Sequence, residues 1–355
     1  MSTIATFVAT AGKKEKSDLR PRTVLIYTAF FSSIPWKGLE DSQKFTLSNG
    51  KPCRVRNCIL SYNKEDFKSS DVVIFHGYKS DLTDETTLRE LHNRRPSNQT
   101  WGFFALESPL NSIETSQLKG LFNWTLTYRT DSDVYVPYGF FTELESVGEN
   151  ASIQDYSFGK DKLVVWTVSN CRGKRFSYVE KLKQFLKVDI FGGCSGQSCH
   201  HDDENCIKLL KTYKFQLAFE NTECLDYVTE KYWLSPLDNG IVPIVMGGAD
   251  YGKIAIPGSY IDVRDFSSVK ELADYLLYLD KNNTAYNEYL SWRTKYKRND
   301  CLQKGDMTCL GHWTCDLCAL ANNASTPYKV YENLEDFWSV KQCNRFSEQF
   351  DKIIG

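Results

Sequence analysis

The sequence predicts an α/β protein built on two doubly wound, mostly parallel sheets. Three observations carry that prediction. Strand-length apolar runs alternate with stretches of helical period, the order that βαβ units require. A polar segment with two glycines, residues 145–160, interrupts the pattern, and the same alternation restarts beyond it. The length of 355 residues suits about two domains and a core large enough to fold without cross-links.

In chain order, residues 1–20 are polar and read as a tether. Their apolar run, Ile4 to Ala11, is too short for a membrane span and is followed by Lys13-Lys14, a poor signal peptide. The first domain, 21–150, opens with an apolar strand at 22–31. A second strand, 71–77, leads into a charged helix at 86–95. The third, 101–106, ends at Glu107-Ser108-Pro109, and strands at 124–129 and 134–141 follow. The second domain, 151–300, starts from strand 162–169. Its next helix, 176–187, keeps Phe176, Val179, Leu182 and Leu186 on one face. Strands are expected at 188–192, 214–221, 240–248 and 260–263, with a helix over 229–237. A last helix opens on the capping box Ser268-x-x-Glu271 and buries Val269, Leu272, Leu276 and Leu279. Residues 301–355 form a Cys-rich C-terminal segment.

Lys+Arg number 43 and Asp+Glu 45, so the net charge of −2 provides no basic field for nucleic acid. Hydrophobic content of 41% with 25% charged residues excludes whole-chain disorder. Twelve cysteines are generous for a cytosolic enzyme, and five sequons accompany them, at Asn98, Asn123, Asn150, Asn282 and Asn323. Together they point to the secretory lumen, although the sequence shows no segment that would deliver or anchor the chain there.

Ligands of open α/β sheets bind at the carboxyl ends of the strands, so chemistry is sought there. After strand 162–169 comes Ser169-Asn170-Cys171-Arg172-Gly173-Lys174-Arg175, three cations at a helix N-terminus. That arrangement suits a diphosphate or equally a solvated basic turn. Neither GxGxxG nor GxxxxGK[ST] occurs, which weighs against dehydrogenases and P-loop NTPases. After strand 214–221, Glu220, Asn221, Tyr227, Glu230 and Lys231 gather carboxylates, an amide, a ring and an ammonium. They could hold sugar hydroxyls, a base and a phosphate, or merely cap and solvate a helix. Glu107, at a strand tip, can serve as a general base or as a surface cap.

The run FQLAFENTECLDYVTEKYW with GIVPIVMGG, SNCRGKRFSYVEKL ahead of it and FFALESP in the first half resemble the α1,3-fucosyltransferases of glycosyltransferase family 10. The likeness covers most of residues 22–320 and is nearest to invertebrate and plant members acting on N-glycan cores. It implies a GT-B fold, two facing Rossmann-like domains, and inverting transfer of L-fucose from GDP-fucose to O3 of a GlcNAc in an N-glycan, core or antenna. Glu107 would be the general base, and Arg175 and Lys231 the diphosphate clamp. Tyr227 would lie beside guanine, Asn170 near the phosphates, and Glu220, Asn221 and Glu230 on ribose or fucose hydroxyls. Cations and helix N–H groups can carry the leaving-group charge, so no metal is required, though one could stimulate; the strand-end loops of the second domain hold no Asp-x-Asp, and Asp202-Asp203-Glu204 reads as solvated surface. The family also implies a Golgi-lumenal type II membrane protein, with an anchor this sequence does not show.

The family further joins an early cysteine pair to a terminal CxxC, which implies Cys53–Cys315 and Cys58–Cys318 and a C-terminal segment packed back on the first domain. Local pairing, Cys53–Cys58 and Cys315–Cys318, is the competing arrangement. A zinc site on Cys53, Cys58, His312, Cys315 and Cys318 is another, and a catalytically inactive glycan-binding protein of the same fold is the rival function.

Overall fold

The structure, a computed structural model, describes residues 20–41, 45, 51–82, 84–145, 154–199, 203–300 and 313–355. Strands β1 (Arg22–Ile26), β2 (Cys58–Ser61) and β3 (Val72–His76) precede helix α1 (Glu85–Asn93). Then come β4 (Thr100–Ala105), β5 (Trp124–Thr127) and β6 (Val134–Tyr135), completing an all-parallel sheet in the order β2-β1-β3-β4-β5-β6. Every residue of β3 is buried, the uninterrupted apolar pattern of a parallel strand covered on both faces. The edge strand β2, missed in the sequence, is four residues long and alternates buried with exposed positions, leaving no apolar run to read.

The second sheet is built from β8 (Lys162–Thr167), α2 (Lys174–Leu182), β9 (Val188–Phe191), α3 (Glu204–Leu210) and β10 (Tyr213–Phe219). It continues through the short helices α4 (Glu230–Trp233) and α5 (Ser235–Asp238), then β11 (Val242–Met246), α6 (Tyr251–Ile254) and β12 (Ile261–Asp262). Its order, β12-β11-β10-β8-β9, is again wholly parallel. Both sheets therefore reverse winding once, between β1 and β3 and between β8 and β10. Helix α7 (Val269–Lys281) is capped by Ser268, whose Oγ accepts from Glu271 N at 3.2 Å, while the Glu271 carboxylate reaches back to Ser267 N at 2.7 Å. The capping box thus closes one residue earlier than its usual form. Helix α8 (Asn283–Glu288) follows at once.

Two elements depart from their sequence-based bounds and one helix is new, each for an identifiable reason. The run 134–141 divides because Pro137 has no N–H for a ladder. Its second part, β7 (Gly139–Glu143), leaves the sheet and pairs antiparallel with β13 (Tyr296–Asp300), a ribbon joining the two halves. The expected helix 229–237 is broken between Trp233 and Ser235, since Pro236 cannot donate to Tyr232 O. Helix α3 was unforeseen: Asp203 and Glu204 are exposed as expected, but Asp203 is the N-cap, accepting from Asn205 N at 2.8 Å.

The C-terminal segment serves both domains, not the first alone. Helix α9 (Trp313–Asn322) and α10 (Leu334–Phe337) pack on the first domain, where Trp338 donates to Ser112 Oγ and meets the Phe103 and Tyr128 rings. The final helix, α11 (Ser347–Ile354), buries Phe350 and Ile353 in the second core against α2. One apolar cluster runs from the first sheet into Tyr227, Val228, Tyr232, Trp233 and Tyr251 of the second domain, so the halves meet over a continuous core.

Cys53 joins Cys315 and Cys58 joins Cys318, with Cα separations of 5.3 and 5.9 Å. These four cysteines are thereby unavailable to zinc. The loops closed are 262 and 260 residues apart in sequence, worth on the order of 5 kcal/mol by chain entropy alone. Non-reducing peptide mapping is expected to return a cross-linked peptide joining residues near 55 to residues near 316. Purely local bonds would refute the tie.

Candidate functional site

The reversal point between β8 and β10 is where an open sheet leaves a crevice for a ligand. Both strand ends are polar there. Beyond β8, Asn170 is exposed, and helix α2 begins at Lys174 behind Gly173, with no side chain capping its first N–H groups. Arg175, 6% exposed, donates from Nη1 to Phe219 O at 3.0 Å and from Nη2 to Asn170 O at 2.8 Å, clasping the two strand ends. Its Nε is buried without a partner. Lys174 turns away to Asp351 and Ser347 O of α11. A disulfide, Cys171–Cys194, ties the loop after β8 to the loop after β9.

Beyond β10, three successive side chains hold a buried, unpartnered oxygen: Asn221 Oδ1, Thr222 Oγ1 and Glu223 Oε2. Buried polar atoms are almost always bonded in a finished fold, so such a run of oxygens marks a surface prepared for hydroxyl donors. Burial holds the Glu223 carboxyl above its ordinary value, partly offset by Lys174. The loop is fixed at both ends. Cys224 is disulfide-bonded to Cys343, and Asp226, at φ +59°, accepts from Thr130 N and Oγ1 of the first domain at 3.1 and 2.6 Å.

Glu220 and Tyr227 do not take the positions the sequence assigned them. The Glu220 carboxylate is enclosed and accepts from Thr229 N and Thr229 Oγ1, both at 2.8 Å, so it braces the start of α4 instead of facing a sugar hydroxyl. Burial raises its pKa, against the pull of the Lys231 ammonium 3.5 Å away. Tyr227 is only 1% exposed, packed against Tyr128 with ring centroids 4.8 Å apart, and presents no open face for a base. Its hydroxyl instead reaches across to Glu107 Oε2 of the first domain at 3.4 Å.

Lys231 remains at the centre. Its side chain is 26% exposed, and Nζ contacts Thr229 Oγ1 and Glu230 Oε1, each at 3.0 Å. Burial alone would lower its pKa, but Glu230 and Glu220 hold it above the usual lysine value. The Glu230 side chain is 45% exposed.

Glu107 stands just beyond β4, half-buried, and Asn111 Nδ2 donates to its Oε2 at 2.9 Å. Asn111 and Tyr227 were not foreseen as partners of this carboxylate; the first lies one helical turn ahead in sequence, the second on the other domain. No hydrogen bond from the described residues reaches Oε1. The structure thus gathers Glu107, Tyr227, Glu230 and Lys231 where the carboxyl ends of both sheets face each other, with Arg175 and Asn221 at the adjoining crevice.

The family description "Glycosyltransferase family 10 (fucosyltransferase) C-term" matches residues 157–338, and "Fucosyltransferase, N-terminal" matches residues 19–139. The chain belongs to glycosyltransferase family 10, the fucosyltransferases. Alpha-(1,3)-fucosyltransferase C of Drosophila melanogaster is 32% identical over 357 residues, spanning 92% of this chain and 80% of that protein. Glycoprotein 3-alpha-L-fucosyltransferase A of the same organism is 33% identical, spanning 91% of this chain and 61% of that one. Among solved structures, an alpha1,3-fucosyltransferase with GDP-fucose superposes with a TM-score of 0.52 over 90% of this chain and 96% of its own. At 18% identity that likeness speaks to the fold, which is GT-B.

In this fucosyltransferase the turn Gly247-Gly248 after β11 lets the 221–224 loop close on the sheet. A Cβ on Gly248 would sit 2.2 Å from Glu223 O and 2.6 Å from Cys224 O, backbone atoms that a disulfide keeps from retreating. Gly248→Ala is therefore expected to cost about 1–3 kcal/mol of stability and to weaken donor binding with it. Parent-like melting together with parent-like GDP titration would show that the loop does not depend on this contact. Tyr251, whose hydroxyl is buried and unpartnered beside Gly247 and Glu220, is a further polar group of the crevice that no sequence pattern marked.

The sequons divide. Asn98 and Asn323 are exposed, and Asn282 caps α8 through Ala285 N at 3.1 Å while its Nδ2 donates to Tyr278 OH at 2.9 Å. Asn150 lies outside the described residues. Asn123 cannot carry a glycan in this fold: it is 3% exposed, its Nδ2 donates to Lys329 O at 2.7 Å, and its Oδ1 accepts from Trp101 N at 2.9 Å.

Proposed function

We propose that the protein transfers L-fucose from GDP-fucose to O3 of a GlcNAc in an N-glycan, forming an α1,3 linkage with inversion at the anomeric carbon. The observation that carries this reading is the position of Glu107. Its carboxylate comes from the first domain, is held on one oxygen by Asn111 and Tyr227, and faces the cation-bearing strand ends of the second.

Glu107 takes the proton of the acceptor hydroxyl as its oxygen bonds to the anomeric carbon. The bond from that carbon to the diphosphate breaks, and negative charge collects on the leaving GDP. Lys231, the unused N–H groups of Arg175 and the uncapped start of α2 stabilise that charge. Asn221 and Glu230, with Asn170 beside the phosphates, hold hydroxyls of the donor. The relatives in Drosophila melanogaster and an alpha-(1,3)-fucosyltransferase 7 of Mus musculus, 34% identical over 295 residues, support the linkage by their names.

Five disulfides among the described residues agree with an oxidising compartment, and the Golgi lumen, with a membrane anchor, is the proposed location. Among the described residues no helix is long and apolar enough to cross a membrane.

A glycan array probed with GDP-fucose, followed by NMR of the product, tests the reading. Fucose on O3 of GlcNAc is expected, and the array separates core from antenna. Glycan binding without transfer to any acceptor would overturn it in favour of an inactive lectin-like protein.

A further inference from the structure

A cavity of about 600 Å³ opens at the end of the second sheet opposite the donor crevice. Its lining includes Lys211, just ahead of β10, and Gly240, just ahead of β11, so it sits at the amino ends of parallel strands. β10 has seven residues, which puts the two ends roughly 20 Å apart. Tyr156, Asp238, Trp292, Arg293 and Arg298 complete the wall.

The charges here are unbalanced. Asp238 is paired with Arg298. Among the described residues no carboxylate lies within ion-pair distance of Lys211, Arg293 or the adjoining Lys160. Lys160, half-buried, donates to Lys211 O and Tyr213 O at 3.0 and 2.9 Å, and burial with Arg293 and Lys211 pushes its pKa down to about 8. Cations crowded to that degree in a fold with net charge −2 call for a counter-charge.

The Arg293 guanidinium lies 4.3 Å from the Trp292 ring centre and 5.5 Å from that of Tyr156. With its faces on rings, it can bind only through its edge. Nη2 donates to Leu237 O at 2.5 Å, but Nε has no partner, and neither has the indole Nε1 of Trp292, a side chain 5% exposed. Two buried N–H donors left unused beside unpaired cations mark an anion site. Aromatic edges and a volume in the range of small-molecule pockets favour an anion carried on a ring.

We propose that this cavity is a second binding site, separate from the donor crevice, for an anionic sugar of one or two rings. The group recognised is an oxyanion, whether sulfate, phosphate or carboxylate. Arg293 and Lys211 would hold it, with Trp292 donating to a further oxygen.

Calorimetry on the intact protein with glucose 6-sulfate, glucose 6-phosphate, glucuronate and inorganic sulfate tests the site and shows which oxyanion it prefers. Binding of at least one sugar anion is expected, tighter than inorganic sulfate. Arg293→Met and Lys211→Ala should each weaken it by about tenfold or more, the effect of one charge-assisted hydrogen bond, with GDP titration unchanged. Lys211 is exposed and its side chain makes no hydrogen bond or ion pair with the described residues, so that variant stands if Arg293→Met fails to fold. No binding of any sugar anion, or undiminished binding in the folded variants, would overturn the proposal. Inorganic sulfate binding as tightly as the sugars would overturn the sugar assignment.

Discussion

Glu107→Gln is expected to lower kcat by about 10² to 10⁴-fold while leaving the affinity for GDP at its parent value. The amide keeps the size of the carboxylate, and its carbonyl oxygen can still accept from Asn111 Nδ2 and Tyr227 OH, which now reach Oε2 at 2.9 and 3.4 Å. What it loses is the ability to take a proton. Folding should therefore change little, and a thermal melt close to the parent's would show that the loss is chemical. Because Glu107 belongs to the first domain and the cationic strand ends to the second, donor binding and proton transfer separate cleanly. A Gln variant turning over within a few-fold of the parent would remove Glu107 from the reaction. A variant that also lost GDP affinity would place the side chain on the donor instead.

Lys231→Ala is expected to weaken GDP and GDP-fucose together by about 10 to 150-fold, the equivalent of about 1.5–3 kcal/mol for one charge-assisted contact. It should also destabilise the fold in a pH-dependent manner. Glu220 is buried and its pKa is already raised by that burial, with Lys231 the cation that offsets it. Without the ammonium, an ionised Glu220 keeps only the two Thr229 donors. The folded variant then binds its proton more tightly than the unfolded chain does, so stability falls as pH rises above the ordinary carboxylate value of 4.5. The deficit against the parent is largest at neutral pH and shrinks on acidification through that value. Because Lys231 is a quarter exposed, the stability cost should stay below the roughly 3–5 kcal/mol of a fully buried pair. Unchanged GDP affinity would sink the phosphate role, and a deficit independent of pH would sink the coupling to Glu220. Arg175→Ala should weaken GDP as well, but it also releases Phe219 O and Asn170 O, so its effect on melting will be larger than its effect on binding implies.

Much of this protein is local physics, and that part was legible. Apolar-rich runs such as residues 72–75, and Tyr213–Phe219 with only Lys214 and Gln216 polar, are what a doubly covered parallel strand demands, whatever it pairs with. Ser268 followed by Glu271 announced α7, and the polar residues Glu107, Asn170 and Glu220 do lie just beyond the carboxyl ends of β4, β8 and β10. The failures also had local causes, in Pro137, Pro236 and an Asp203 that capped a helix too short to show a period. Which way each polar side chain turned was another matter. Glu220 follows β10 by one residue and Glu107 follows β4 by two, yet one braces Thr229 inside the fold and the other faces the opposite domain. Tyr227 met Glu107, 120 residues away, only because the two sheets present their carboxyl ends to each other. Asn123 looked like any other sequon until Trp101 and Lys329 enclosed it. Sequence sets what a backbone segment can become, since that depends on neighbours a few residues away. Direction and burial of a side chain depend on partners brought from far along the chain, and only the tertiary structure decides those.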